Sequence, residues 1–69
     1  MGAAKQMRVF LTFKALLAKR LMDQFPGESF DEIDARADRL IRTCKPKGEL
    51  EEAAFRGALG DRARMRGFA

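Results

Sequence analysis

Two breakers cut this chain into three pieces, each of helical length. In FPGES, residues 25–29, Pro26 steers its predecessor away from helical backbone and Gly27 accepts positive φ. In CKPKG, residues 44–48, a second break ends whatever precedes it. Ser29 and Glu32 stand at capping-box spacing: the serine hydroxyl accepts from a first-turn amide and the carboxylate accepts from the Ser29 amide. The punctuation predicts an all-α fold, one helical domain over residues 1–69. Its helices are Ala3 to Gln24, Phe30 to Cys44, and a weaker one from about Glu49 to Arg66. The first two form a hairpin.

Side-chain spacing predicts the faces. At 100° per residue Phe30, Ile33, Ala37, Leu40, Ile41 and Cys44 share one side of the middle helix, so the thiol reads as a buried structural cysteine. Glu32 to Arg36 and Asp38 to Arg42 have the spacing of i,i+4 ion pairs. In the first segment Met7, Phe10, Leu11, Leu17, Leu21, Met22 and Phe25 share a wide face with Ala18. Val9, Phe13 and Leu16 form a second patch, and one neighbouring helix cannot cover both. The third segment offers a small-residue face of Leu50, Ala54, Gly57, Ala58 and Met65, with Phe55 and Leu59 pointing elsewhere beside Arg62 and Arg66. Its glycines each weaken a helix by about 1 kcal/mol relative to alanine, which predicts fraying or bending near Gly57.

Size then becomes the constraint. A chain of 69 residues buries only about 60% of the surface its unfolded form exposes, and small folds usually need a staple or a partner. With one cysteine and no histidine, neither an internal disulfide nor a structural zinc site can form. Self-association is the remaining route, and a homodimer is expected. No signal peptide is legible, because Lys14, Lys19 and Arg20 interrupt the apolar stretch and no small-residue cleavage site follows. A membrane-inserted helix is not expected either, although the basic amphipathic first segment could lie on an anionic bilayer surface. The lone thiol fits a reducing, cytoplasmic compartment.

Charge bounds the partners. Net charge is +4, and residues 1–20 carry five bases and no acid, while Arg62, Arg64 and Arg66 repeat that sign near the other end. A basic excess suits nucleic acid or an acidic protein surface. Enzymatic chemistry has little to work with, since the chain lacks His, Tyr and Trp and its carboxylates and lysines sit at helix-surface spacings. There is no phosphate loop and no calcium loop. No catalytic residue, metal, cofactor or small-molecule substrate is expected.

A second reading concerns MRVFLT, residues 7–12. Val9 and Leu11 alternate with Arg8 and Phe10, as in a short strand. A strand, a helix from Phe13 to Phe25, the PGES turn and a second helix make an order that resembles the ribbon-helix-helix repressors. That resemblance covers residues 6–44 and implies a dimer whose paired strands enter the major groove, with Gln6, Arg8 and Phe10 facing the bases. The chain departs from the pattern at Asp34 and Asp38, which stand where apolar residues would be buried.

The leading expectation is a non-enzymatic regulatory or inhibitory protein that binds another protein through an apolar, arginine-bearing helical surface. Phe13, Leu16, Phe55, Arg62, Arg66 and Phe68 are the candidate contacts, since aromatic and arginine side chains supply interface hot spots. The alternative is a dimeric DNA-binding regulator, helical or of the ribbon type, with Lys5, Arg8, Lys19 and Arg64 on phosphates.

Overall fold

The computed structural model describes the backbone of residues 2–66 and the side chains of residues 13–65. It has three helices, α1 (Gly2–Gln24), α2 (Phe30–Thr43) and α3 (Glu49–Arg66), and no strand among the described residues. The helix boundaries fall within a residue of those that the punctuation predicts. Residues 7–12 are helical, so the strand reading of MRVFLT does not hold. No helix among the described residues is long and apolar enough to cross a membrane.

Local chemistry explains each boundary. At the start of α2 the Ser29 hydroxyl accepts from the Glu32 amide at 3.3 Å, and the Glu32 carboxylate accepts from the Ser29 amide at 3.4 Å, completing the box. At its end Cys44 adopts the left-handed conformation, φ 54°, and its amide donates to the Leu40 carbonyl at 2.8 Å. The Thr43 hydroxyl bonds back to the Arg39 carbonyl one turn earlier, at 2.9 Å. Gly48, at φ 93°, is where the second linker needs a glycine. Its carbonyl then accepts from the Glu52 amide to open α3.

Helix α1 is the central element, packed against both α2 and α3. Leu17 and Leu21 of α1, Ile33, Ala37 and Leu40 of α2, and Ala54 and Ala58 of α3 form the buried core. Each fully buried leucine is worth roughly 1.5–3 kcal/mol relative to exposure. The small residues of α3 let the helix backbones approach, so the third segment covers α1 more extensively than α2 does. Of the second patch of α1, Phe13 lies beside Arg62 of α3 and Leu16 is partly buried, while the side chain of Val9 lies outside those described. Helix α3 is continuous through Gly57 and Gly60, without a break.

Several facings differ from expectation. Phe30 opens α2 and is 69% exposed, because the packed stripe begins one turn later at Ile33. Cys44 is exposed, since its left-handed backbone carries it out of the helical register. Met22, Leu50 and Met65 are about half exposed, whereas Phe13 and Phe55, expected away from the core, pack against it half-buried. The i,i+4 pairs are redirected as well. Glu32 is committed to the cap, and Arg36 pairs with Glu28 and Glu51. Asp38 lies near Lys14, which also approaches Asp34 at 3.1 Å.

The one fully buried charged residue among those described is Glu51, in the first turn of α3. Its carboxylate accepts from Arg36 and Arg39 of α2, each at 2.5 Å, and from the Lys47 amide at 2.8 Å. Arg36 also donates twice to Glu28 and lies 4.0 Å from the Phe25 ring centroid. Sequence spacing shows Glu51 only as one of three acids suiting the positive end of the helix dipole. Its pairing with arginines 12 and 15 residues away appears once the fold is in hand.

Candidate functional site

Helices α1 and α3 run antiparallel, as their side-chain pairings show. Arg20, late in α1, lies over Gly57 and binds Asp61, whereas Phe13, a turn or two earlier, sits under Arg62. A β-carbon at Gly57 would stand 3.0 Å from the Arg20 Nε, so the glycine gives the arginine stem room to cross α3. The guanidinium then donates from Nε at 2.9 Å and from Nη2 at 2.7 Å to the two oxygens of Asp61. Two parallel bonds of this kind fix geometry as well as charge. Arg64 donates to the same carboxylate.

Beside this bridge lies a half-open groove of about 590 Å³, lined by Leu16, Lys19, Arg20 and Asp23 of α1 and by Asp61, Arg64 and Met65 of α3. The α1 residues recur at i, i+3, i+4 and i+7, one side of a helix, and the α3 residues at i, i+3 and i+4. Leu16 and Met65 provide the apolar surface. Lys19 is exposed and Arg64 is 70% exposed, so both cations remain accessible. The Arg20 guanidinium, hydrogen-bonded to Asp61, holds that carboxyl below its usual range against the opposing effect of burial, and Arg64 adds to the effect. Asp61 therefore stays ionised, and its charge is absorbed by the two arginines it binds.

Of the residues expected to bind a protein, Leu16 lines the groove, and Arg62 is exposed with its guanidinium 5.2 Å from the Phe13 ring centroid. Phe13 and Phe55 serve the core in part. Lys19 and Arg64, expected on nucleic acid, line the same groove as Leu16. The side chains of Lys5, Arg8, Arg66 and Phe68 lie outside those described. Sequence reasoning missed Arg20, Asp61 and Met65 as members of one surface. The spacing carries a faint signal for them, since Arg20 shares a helical side with Leu16 and Asp61 shares one with Arg64 and Met65.

Chemically, this arrangement supplies an apolar strip flanked by the exposed Lys19 on one wall and by the exposed Arg64, paired with Asp61, on the other. Among the described residues, no three carboxylates or thiolates converge as a metal site would require. No protein-family model matches the chain, and neither a curated protein nor a solved structure matches it.

Proposed function

We propose that this protein is a small non-enzymatic regulator that acts by binding another protein through the α1/α3 face. The groove that joins Leu16 and Met65 to Lys19 and Arg64 supports the reading most directly. It combines exposed apolar area with arginine, the chemistry of interface hot spots. A photo-crosslinking residue placed at Lys19 tests it against the same residue at Ala35, which is exposed on α2. The expected result is a covalent adduct with a discrete protein from position 19, reduced by Met65→Ala and Arg64→Glu, and none from position 35. Equal adducts from both positions would remove the groove as the working surface.

A second reading has its own support. Antiparallel packing of α1 and α3 brings the acid-free start of α1 and the arginine-rich end of α3 toward one end of the bundle, a placement suited to phosphate contacts. On this reading the protein is a helical DNA-binding regulator. Fluorescence anisotropy with a mixed-sequence duplex decides it: tight binding with a steep salt slope favours DNA, and no binding at low salt rules it out. Self-association belongs to both readings. A solution mass that rises with concentration supports the homodimer, and a concentration-independent monomer mass excludes it.

A further inference from the structure

We infer that the partner segment is an acidic amphipathic helix, lying lengthwise between α1 and α3 with its apolar side chains on Leu16 and Met65 and its carboxylates beside Lys19 and Arg64. This rests on the protein-binding reading above and names the chemistry of the partner. The shape comes first. The groove is bounded by two helix ridges, and a third helix fits such a furrow by presenting apolar residues at i, i+3, i+4 and i+7. An extended peptide would find no unpaired strand edge here, because the described residues contain no strand.

Charge complementarity selects the sign of the occupant. The lining holds Lys19, Arg20 and Arg64 against Asp23 and Asp61. Asp61 is only 18% exposed and is held by both arginines, so it presents little negative charge to an incoming ligand. Lys19 is exposed on one wall and Arg64 on the other. The surroundings reinforce this, since no acid precedes residue 21 and none follows residue 61. Asp23 is the exposed carboxylate at the α1 side of the lining. A carboxylate-bearing helix meets the exposed Lys19 on one wall and the exposed Arg64, shared with Asp61, on the other, and the three cations of the lining outnumber its two acids.

The experiment titrates the full-length protein into fluorescent synthetic peptides and reads anisotropy. The first peptide carries leucines at i, i+3, i+4 and i+7 with glutamates elsewhere, and the second has lysines in place of the glutamates. Polyglutamate and a DNA duplex serve as purely anionic probes. The acidic amphipathic peptide is expected to bind, and Lys19→Glu with Arg64→Glu to weaken it by roughly tenfold or more. Met65→Ala should weaken it severalfold, and Arg42→Glu on the exposed side of α2 should leave it unchanged. Circular dichroism monitors the fold. If the double variant loses helix, Lys19→Glu alone, at an exposed position, carries the same comparison.

Each other result overturns the inference in a distinguishable way. Equal or tighter binding of the lysine peptide, still sensitive to Met65→Ala, would sink the acidic partner and leave the protein-binding reading standing. Failure of both amphipathic peptides would count against both. Equal binding of polyglutamate or duplex, indifferent to Met65→Ala, would mean that the surface reads charge alone. Binding of the acidic peptide that ignores the groove variants would place the site elsewhere.

Discussion

Replacing Glu51 with alanine removes the acceptor shared by Arg36, Arg39 and the Lys47 amide. Breaking a fully buried ion pair costs about 3–5 kcal/mol. The cost here is smaller, because the Arg36 and Arg39 side chains are 29% and 23% exposed and reach water, and Arg36 keeps Glu28. An unsatisfied Lys47 amide adds to the loss, and the expected total is about 2–3 kcal/mol. Against a stability on the order of 5 kcal/mol for a domain this small, that is a large fraction. At roughly 4–8 °C per kcal/mol, the thermal midpoint should fall by about 10–20 °C. Glu51→Gln keeps a neutral acceptor and should cost about half as much.

The same group sets a pH dependence with a definite sign. Burial pushes the Glu51 carboxyl up, but Arg39, the Lys47 amide and Arg36 together outweigh it and hold the group below its usual range. A carboxyl depressed in the folded state contributes stability that is fully present above its unfolded value, near about 4.3. That contribution is lost as pH falls through the folded value. Denaturant titrations of wild type and Glu51→Gln at pH 7 and at progressively acidic pH should therefore converge, with the gap closing below roughly pH 4. An alanine variant within about 0.5 kcal/mol of wild type at pH 7, inside the range of ordinary surface substitutions, would refute the reasoning. So would a wild-type-to-glutamine gap that persists undiminished in acid.

Other perturbations have equally direct readouts. Ser29→Ala removes the hydroxyl of the capping box and should lower stability by about 1 kcal/mol in denaturant unfolding, and no change would mean that the cap contributes little. Gly60→Ala meets nothing within 4 Å inside α3 and should raise stability by about 1 kcal/mol. Gly57→Ala should gain less, because its new methyl crowds Arg20, and equal gains would contradict the close crossing. Gly48→Ala should instead destabilise by about 1–2 kcal/mol, since its φ of 93° is strained for a side chain. Cys44 should react with a thiol reagent in the native state at a rate independent of denaturant below the unfolding transition, and full protection would contradict its exposure.

What the sequence discloses divides by range. The start of α2 is legible because Ser29 and Glu32 lie three residues apart and their chemistry is local. Ile33, Ala37 and Leu40 are legible because one helical period aligns them. The exposure of Cys44 is not, since the spacing that assigns it to the apolar stripe assumes helical backbone one residue past the point where the helix stops. Phe30 fails for a related reason: periodicity gives a direction around the helix but not how far along it the neighbouring helix reaches. The long-range arginine pairings of Glu51 and Asp61 escape altogether. Arg36 and Arg39 lie 15 and 12 residues from Glu51 and Arg20 lies 41 from Asp61, where no spacing rule applies, and Glu51, near the start of a helix, is already explained by the dipole.

The groove was half legible. Leu16, Lys19 and Arg64 each stand out by type, but as members of different hypotheses, one apolar and two basic. Their meeting depends on α3 running antiparallel to α1, a topological fact that no local pattern carries. The same topology explains why the third segment packs so well in spite of its glycines. Alanine and glycine give little helix-face hydrophobicity, yet they permit the close approach that seats Arg20 across Gly57.

Arg36 has a further consequence, for how the chain comes apart. Through Glu28 and the Phe25 ring it grips the first connection between helices, and through Glu51, which also takes the Lys47 amide, it reaches the second. Both linkers are thus fastened at one place, although 15 residues separate Arg36 from Glu51. Detaching α3 would release the second linker and strip Arg36 of one of its two acids at once. The two turns are thereby coupled, since loosening the second removes one of the anchors that orient the Arg36 side chain on the first.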